Sequence, residues 1–171
     1  RVVPYRERGL LVMMRDVTER HRSIERIREL AYFDTLTGLP NVAYFHERLG
    51  GGVSHTRATG RPLALVHLDL DHFSRINDSF GHGEGDKLLV LAAERFRSCA
   101  RAADTVARLG GDEFAILIED STGPEEQQAL IERLTSSMAQ PFMLSGNEVF
   151  VTASVGIAAA SAGESVSEVL R

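Results

Sequence analysis

Two patterns of apolar positions alternate along the chain. "RPLALVHLDLD" (61–71) is apolar at almost every position, as in a strand covered on both faces, and predicts a central strand. "GDKLLVLAAERFRSCAR" (85–101) has apolar residues every third or fourth position and predicts an amphipathic helix. "GPEEQQALIERLTSSMAQ" (123–140) predicts another, with Pro124 in its first turn. "VAYFHERL" (42–49) reads as a short helix, capped by Asn41 and stopped by Gly50, Gly51 and Gly52. "DTVARLGGDEFAILIED" (104–120) predicts two strands around a tight turn. "PFMLSGNEVFVTASVGIAAA" (141–160) predicts a hairpin turning at Ser145-Gly146-Asn147. Strands alternating with helices, plus two hairpins, predict a mixed sheet with helices packed on it.

The first residues read differently. "GLLVMMRDV" (9–17) predicts a strand. In "DVTERHRSIERIRELAYF" (16–33), Asp16 or Thr18 can cap a helix with one narrow stripe of Ile24, Ile27 and Leu30 or Ala31. Such a stripe fits a helix packed on its own domain and a dimerising stalk equally well. "DTLTGLPN" (34–41) is dense in turn residues and separates this region from the rest.

Composition narrows the class. The 171 residues suit one globular domain with an appendage, at 43% hydrophobic and 25% charged. A net charge of -5 gives no general nucleic-acid surface, and a polyphosphate ligand would need metal ions or local arginines to offset it. The single cysteine, Cys99, excludes an intrachain disulfide and points to a reduced, cytoplasmic setting. No apolar run approaches the roughly 18 residues of a membrane span, and no secretory signal opens the chain.

The chemistry concentrates at "RLGGDEF" (108–114). Gly110 and Gly111 supply the positive φ that a two-residue hairpin turn requires, and a hairpin with solvated acids at its tip would need nothing more. "HLDLDHF" (67–73) changes the weighing. Period two puts Asp69 and Asp71 on one face at the end of the central strand, so a hairpin bearing Asp112 and Glu113 beside them makes a carboxylate cluster. Clustered carboxylates repel and their pKa values rise unless a cation intervenes. Mg²⁺ suits such a site, because it takes oxygen ligands from one or two carboxylates and from substrate phosphates. The turn glycines would also let a nucleotide approach the backbone.

With "DTLTGLPN", "DLDHFSRINDSFGHGEGD", "RLGGDEF" and "VTASVGIA" in that order, the chain resembles the GGDEF domain of diguanylate cyclases from about Asp34 to its end. The resemblance implies an α+β fold: a central, mostly antiparallel sheet flanked by helices, related to the palm of polymerases and nucleotide cyclases. It implies condensation of two GTP into cyclic di-GMP with release of pyrophosphate, by a homodimer using Mg²⁺ or Mn²⁺. Asp69 and Asp112 match its metal-ligating side chains, Leu70 a ligating carbonyl, and Glu113 a catalytic acid; Asp71 is either a participant or a strand-end acid. The backbone of His72, Phe73 and Ser74 matches a phosphate-wrapping loop, with Gly110 and Gly111 completing the substrate site. Asn77 and Asp86 match the pair that reads guanine, although Asp86 could also acidify the start of its helix. Arg101 and Asp104 match an inhibitory cyclic di-GMP site; by themselves they would be a helix-surface pair. Arg108 either supports the site or product, or is a surface arginine.

Departures accompany the match. Ser74 stands where many members carry lysine. The family continues into a further helix with phosphate-binding Lys and Arg and a last strand, so residues 34–171 are expected to be a C-terminally incomplete GGDEF domain. Residues 1–17 resemble the end of a PAS sensor domain, and residues 18–33 a signalling linker helix with an N-terminal strand before it. Some family members add an EAL phosphodiesterase domain. A non-catalytic domain that binds GTP or cyclic di-GMP to regulate such a neighbour is the alternative.

Overall fold

The computed structural model describes residues 2–5, 9–12 and 29–160, the first two stretches as backbone only. Backbone contacts divide the chain into Arg1–Ala31 and Tyr32–Arg171. In the first unit, β1 (Val2–Tyr5) pairs antiparallel with β2 (Gly9–Val12). The strand expected over 9–17 is thus seen over Gly9–Val12, and a partner strand that the sequence did not suggest precedes it. Residues 13–28, with most of the expected linker helix, lie outside the described residues; residues 29–32 are helical.

The second unit is built on β3 (Leu63–Leu70), the uninterrupted apolar strand. It lies between β5 (Glu113–Ile118) and β8 (Ala153–Ala160), and β4 (Thr105–Gly110) flanks β5, giving the order β4-β5-β3-β8. Every pairing in this sheet is antiparallel, which corrects the mixed sheet expected from alternating elements. The strand that follows the helices, β4, does not join β3 directly. Its hairpin partner β5 takes the place beside β3 instead.

Leu63, Leu65, His67 and Asp69 share one face of β3. Its apolar members pack with Phe45, Leu49 and Val53 of α1 (Val42–Thr59). Ala64, Val66, Leu68 and Leu70 share the other face, against Leu88, Ala92 and Phe96 of α3 (His82–Cys99) and Leu130, Leu134 and Met138 of α4 (Pro124–Met138). Phe96 and Phe114 meet edge to face at 5.1 Å between centroids. Here α3 begins at His82, ahead of the expected Gly85.

Two further expectations need correction. Gly50–Gly52 do not stop α1, which runs on to Thr59 and ends at Gly60, whose φ of 75° is left-handed. A side chain at Gly52 would come within 2.9 Å of Leu63 Cδ1, so the helix lies closer to the sheet there than alanine would allow. Packing of its apolar face outweighs the roughly 1 kcal/mol that each interior glycine costs. The C-terminal hairpin is also shorter than expected. β6 (Phe142–Leu144) and β7 (Asn147–Val149) turn through Ser145 and Gly146, at φ 48° and 79°, while β8 leaves them for the main sheet. Two left-handed residues form the favoured two-residue hairpin turn, and Asn147 is already in the strand.

Candidate functional site

The β4–β5 hairpin delivers its acids to the end of β3. Gly110 has φ 152° and Gly111 φ 51°, conformations that side chains disfavour, and Gly111 and Asp112 form the two-residue turn. Gly110 therefore belongs to the strand end rather than to the turn: it pairs with Glu113 after a bulge that begins at Arg108. Asp69 stands directly opposite Glu113 across the β3–β5 ladder, and the Leu70 N–H donates to the Asp112 carbonyl at 3.3 Å. Burial pushes the Asp69 carboxyl above its ordinary pKa, and Asp112 and Glu113 push it further, against a partial offset from His67. The structure thus brings Asp69, Asp112 and Glu113 to one end of the sheet.

Asp71 is a different case. It lies one residue past the end of β3, and its carboxylate accepts 2.6 Å hydrogen bonds from both Thr152 Oγ1 and Ser154 Oγ. Those hydroxyls hold it below the ordinary aspartate value. Its N–H donates to the Thr152 carbonyl at 2.9 Å. Asp71 does share a face with Asp69, as period two expects: Ser154, which bonds it, stands opposite Asp69 in the β3–β8 ladder. Asp71 adds to the negative charge around Asp69 while fastening β8 to the end of β3.

After Asp71 the chain turns through His72, left-handed at φ 59°, into α2 (Phe73–Phe80), a helix that the sequence reading did not separate from its loop. His72 has no side-chain capping bond to offer, and Arg75 N–H bonds back to the His72 carbonyl at 2.9 Å. The amides of Phe73 and Ser74 thus stand at an uncapped helix start, beside the carboxylate cluster in the chain. Amides in this arrangement suit an anion.

Asn77 lies on α2 and Asp86 on α3. The two helices approach so closely that a Cβ on Gly85 would fall 1.9 Å from Asn77 Oδ1. Gly85 is therefore what lets Asn77 reach the start of α3. The sequence reading did not single it out, though the glycines of "GHGEGD" carried the signal. Asp86 is exposed and sits beyond the first turn, where Glu84 is the acid, so helix capping does not explain it.

Arg101 and Asp104 lie in the turn after α3 rather than on a helix surface. The Arg101 N–H donates to Asp104 Oδ2 at 2.8 Å, and the Arg101 guanidinium pairs with Glu126. They line a cavity of about 420 Å³ together with Arg48, Arg97 and Tyr44, on elements other than those holding Asp69. Arg108 is no free surface arginine: it bonds Asp34 and the Gly111 carbonyl.

Among the described residues, no group of three or more His, Cys, Asp or Glu side chains converges closely enough to hold a metal unaided. Two carboxylates and a main-chain carbonyl, completed by phosphate oxygens, still match the sparse protein ligation of Mg²⁺. Burial first, and then Asp112 and Glu113, raise the Asp69 pKa, and a cation there would offset the repulsion among the carboxylates. Among the described residues, no helix is long and apolar enough to cross a membrane.

Residues 31–171 match the family described as diguanylate cyclase, GGDEF domain. The chain is 44% identical over 85% of its length to the cyclic di-GMP phosphodiesterase NbdA of Pseudomonas aeruginosa, and 43% identical over 91% to the diguanylate cyclase DgcP of the same organism. It spans 18% and 24% of the length of those two relatives. The coiled coil and GGDEF domain of DgcB from Caulobacter crescentus, solved with c-di-GMP, superimposes with a TM-score of 0.84 at 26% identity. That match covers 90% of this chain and 82% of DgcB's. SiaD of P. aeruginosa, a diguanylate cyclase solved with its activator SiaC, gives 0.79 at 31% identity, covering 90% and 61%. The chain belongs to the GGDEF family, and its α+β fold with a mostly antiparallel sheet is the one that these structures share.

Proposed function

We propose that this domain condenses two GTP molecules into cyclic di-GMP with release of pyrophosphate, in the cytoplasm and as part of a sensory signalling protein. The observation that carries this reading is the carboxylate cluster of Asp69, Asp112 and Glu113 at the end of β3, followed in the chain by the uncapped start of α2. Asp69, Asp112 and the Leu70 carbonyl would hold Mg²⁺ or Mn²⁺, which supplies charge neutralisation at the phosphates and a more acidic 3′-hydroxyl. Glu113, opposite Asp69 in the ladder, takes a proton from that hydroxyl in this reading. The amides of Phe73 and Ser74 hold phosphate oxygens, and Gly110 and Gly111 leave open space at the β4–β5 turn for the nucleotide. Asn77 and Asp86 read guanine: a carboxylate accepts from the ring N–H and exocyclic amine together, a pair that adenine cannot present. Each domain binds one GTP, so the reaction needs a homodimer with two sites face to face.

Arg101 and Asp104 are proposed to bind the product as an inhibitor, with Arg48 and Arg97 adding positive charge to the same cavity. Residues 1–17 are proposed as the end of a PAS domain and residues 18–33 as the linker that carries its signal.

A second reading has its own support. Matched relatives include the phosphodiesterases NbdA and PdeR and the bifunctional MucR, each far longer than this chain. In such a protein the domain would bind GTP or cyclic di-GMP and regulate an attached EAL domain. Purified full-length protein given labelled GTP with Mg²⁺ or Mn²⁺ separates the two. Steady cyclic di-GMP and pyrophosphate support the cyclase; saturable GTP binding by a folded dimer without turnover supports the regulator.

A further inference from the structure

The turn that carries Asp112 is poorly held by its own backbone. Gly110 and Gly111 both occupy positive φ, the ladder slips at the bulge after Arg108, and the Leu70–Asp112 hydrogen bond is long at 3.3 Å. Glycine has more conformational freedom to lose than any other residue, so such a turn drifts unless something fixes it. Arg108 bridges the bulge. Its Nε and Nη2 both donate to the Gly111 carbonyl, at 3.0 and 2.7 Å. Its Nη1 donates to both carboxylate oxygens of Asp34, at 3.1 and 3.2 Å.

Asp34 is itself fixed. It accepts from Thr37 N–H and Oγ1 at 2.8 and 2.6 Å, its N–H donates to the Leu39 carbonyl, and its carbonyl accepts from Gly38. The neighbouring Pro40 carbonyl accepts from the Arg108 N–H at 2.9 Å. The two side chains are only 12% and 23% exposed, so these charge-assisted bonds face little competition from water. Burial alone would raise the Asp34 pKa, but the bonds from Thr37 and Arg108 outweigh it and hold the carboxyl below its ordinary value.

We propose that Arg108 is a positioning residue, tying the Gly111 carbonyl to Asp34 so that the Asp112 turn is held by the segment at which the chain enters this domain. Asp34 reaches the turn through Arg108, which lies 74 positions after it in the chain. The role proposed for Arg108 in catalysis rests on the cyclase reading; the mechanical tie does not.

The test uses full-length protein carrying Asp34→Asn or Arg108→Lys. Asp34→Asn weakens one anchor, and Arg108→Lys keeps the charge without the fork onto Gly111. Backbone amide exchange over residues 110–113 should accelerate at least about tenfold in both variants, while exchange within β3 and the interior of β5 stays unchanged. In turnover assays, kcat should fall about 10–100-fold with the KM for GTP within a few-fold, as expected when reacting groups are misplaced rather than lost. Unchanged exchange at 110–113 in both variants overturns the tie, whether or not the protein turns over. Wild-type protein without turnover defeats the cyclase reading alone, and the exchange result still decides this one. Accelerated exchange with an unchanged kcat overturns the positioning role.

Discussion

The two hairpins of this domain are built with related turn chemistry and put to different use. β6–β7 turns through Ser145 and Gly146, both left-handed, and is held by its own strand and by a side chain of α3. Glu84 accepts from the Ser145 N–H, and Asn147 Nδ2 donates to the Ser145 carbonyl. β4–β5 also needs glycine at positive φ, but its turn rests on Arg108 and Asp34 and carries acids that face another acid across the sheet. A turn motif alone therefore does not make a site. The strand laid beside it does, and here that strand is β3 with Asp69 at its end.

The sharpest way to break this comparison is to remove an acid. Asp112→Ala should lower cyclic di-GMP formation by about a thousandfold with the fold retained, since several kcal/mol of transition-state stabilisation depend on the metal that it is proposed to hold. Pyrophosphate release and circular dichroism measure the two halves of that statement. A rate equal to wild type removes Asp112 from the metal site.

A milder test imposes similar strain on both hairpins. Gly111 and Gly146 have φ 51° and 79°, and a Cβ at either meets no atom within 4 Å, so conformation alone sets the cost of alanine. Gly111→Ala and Gly146→Ala should each destabilise by about 1–2 kcal/mol in denaturant melts. Only Gly111→Ala should also slow turnover. Equal turnover in the two variants would mean that the β4–β5 turn tolerates displacement.

The smallest effect concerns pH and separates Asp69 from Asp71. Asp69 has a raised native pKa, caused first by burial and then by Asp112 and Glu113. Its contribution to stability is present below the ordinary aspartate value and is lost as pH rises through the native one. Asp71, held down by Ser154 and Thr152, contributes stability above the ordinary value, which is lost as pH falls through its lower native one. Both residues are partly exposed, so solvent screens these interactions and the shifts in melting temperature should be small. In metal-free protein near neutral pH, Asp69→Asn should raise the melting temperature and Asp71→Asn lower it. Both differences should shrink in acid, and matching signs for the two variants would contradict the separate environments described here.

How much of this was legible beforehand follows from the range of each interaction. Apolar periodicity, the turn glycines, Asn41 as a helix cap and Pro124 at a helix start are local signals, because backbone preference and side-chain direction repeat over a few residues. They determined the strands, the main helices and the neighbourhood of Asp69, Asp112 and Glu113. They misread the helix through Gly50–Gly52, since contact with Leu63 outweighs local helix preference. They placed Asp71 on the face of Asp69, where it lies, but gave no sign of the β8 hydroxyls that bind it. The insertion of β5 beside β3, the hydroxyls of β8 that hold Asp71, the Asn77–Gly85 approach and the Asp34–Arg108–Gly111 bridge were decided by tertiary structure alone. Each joins side chains or strands whose meeting depends on where the whole sheet brings them, and no local pattern encodes that.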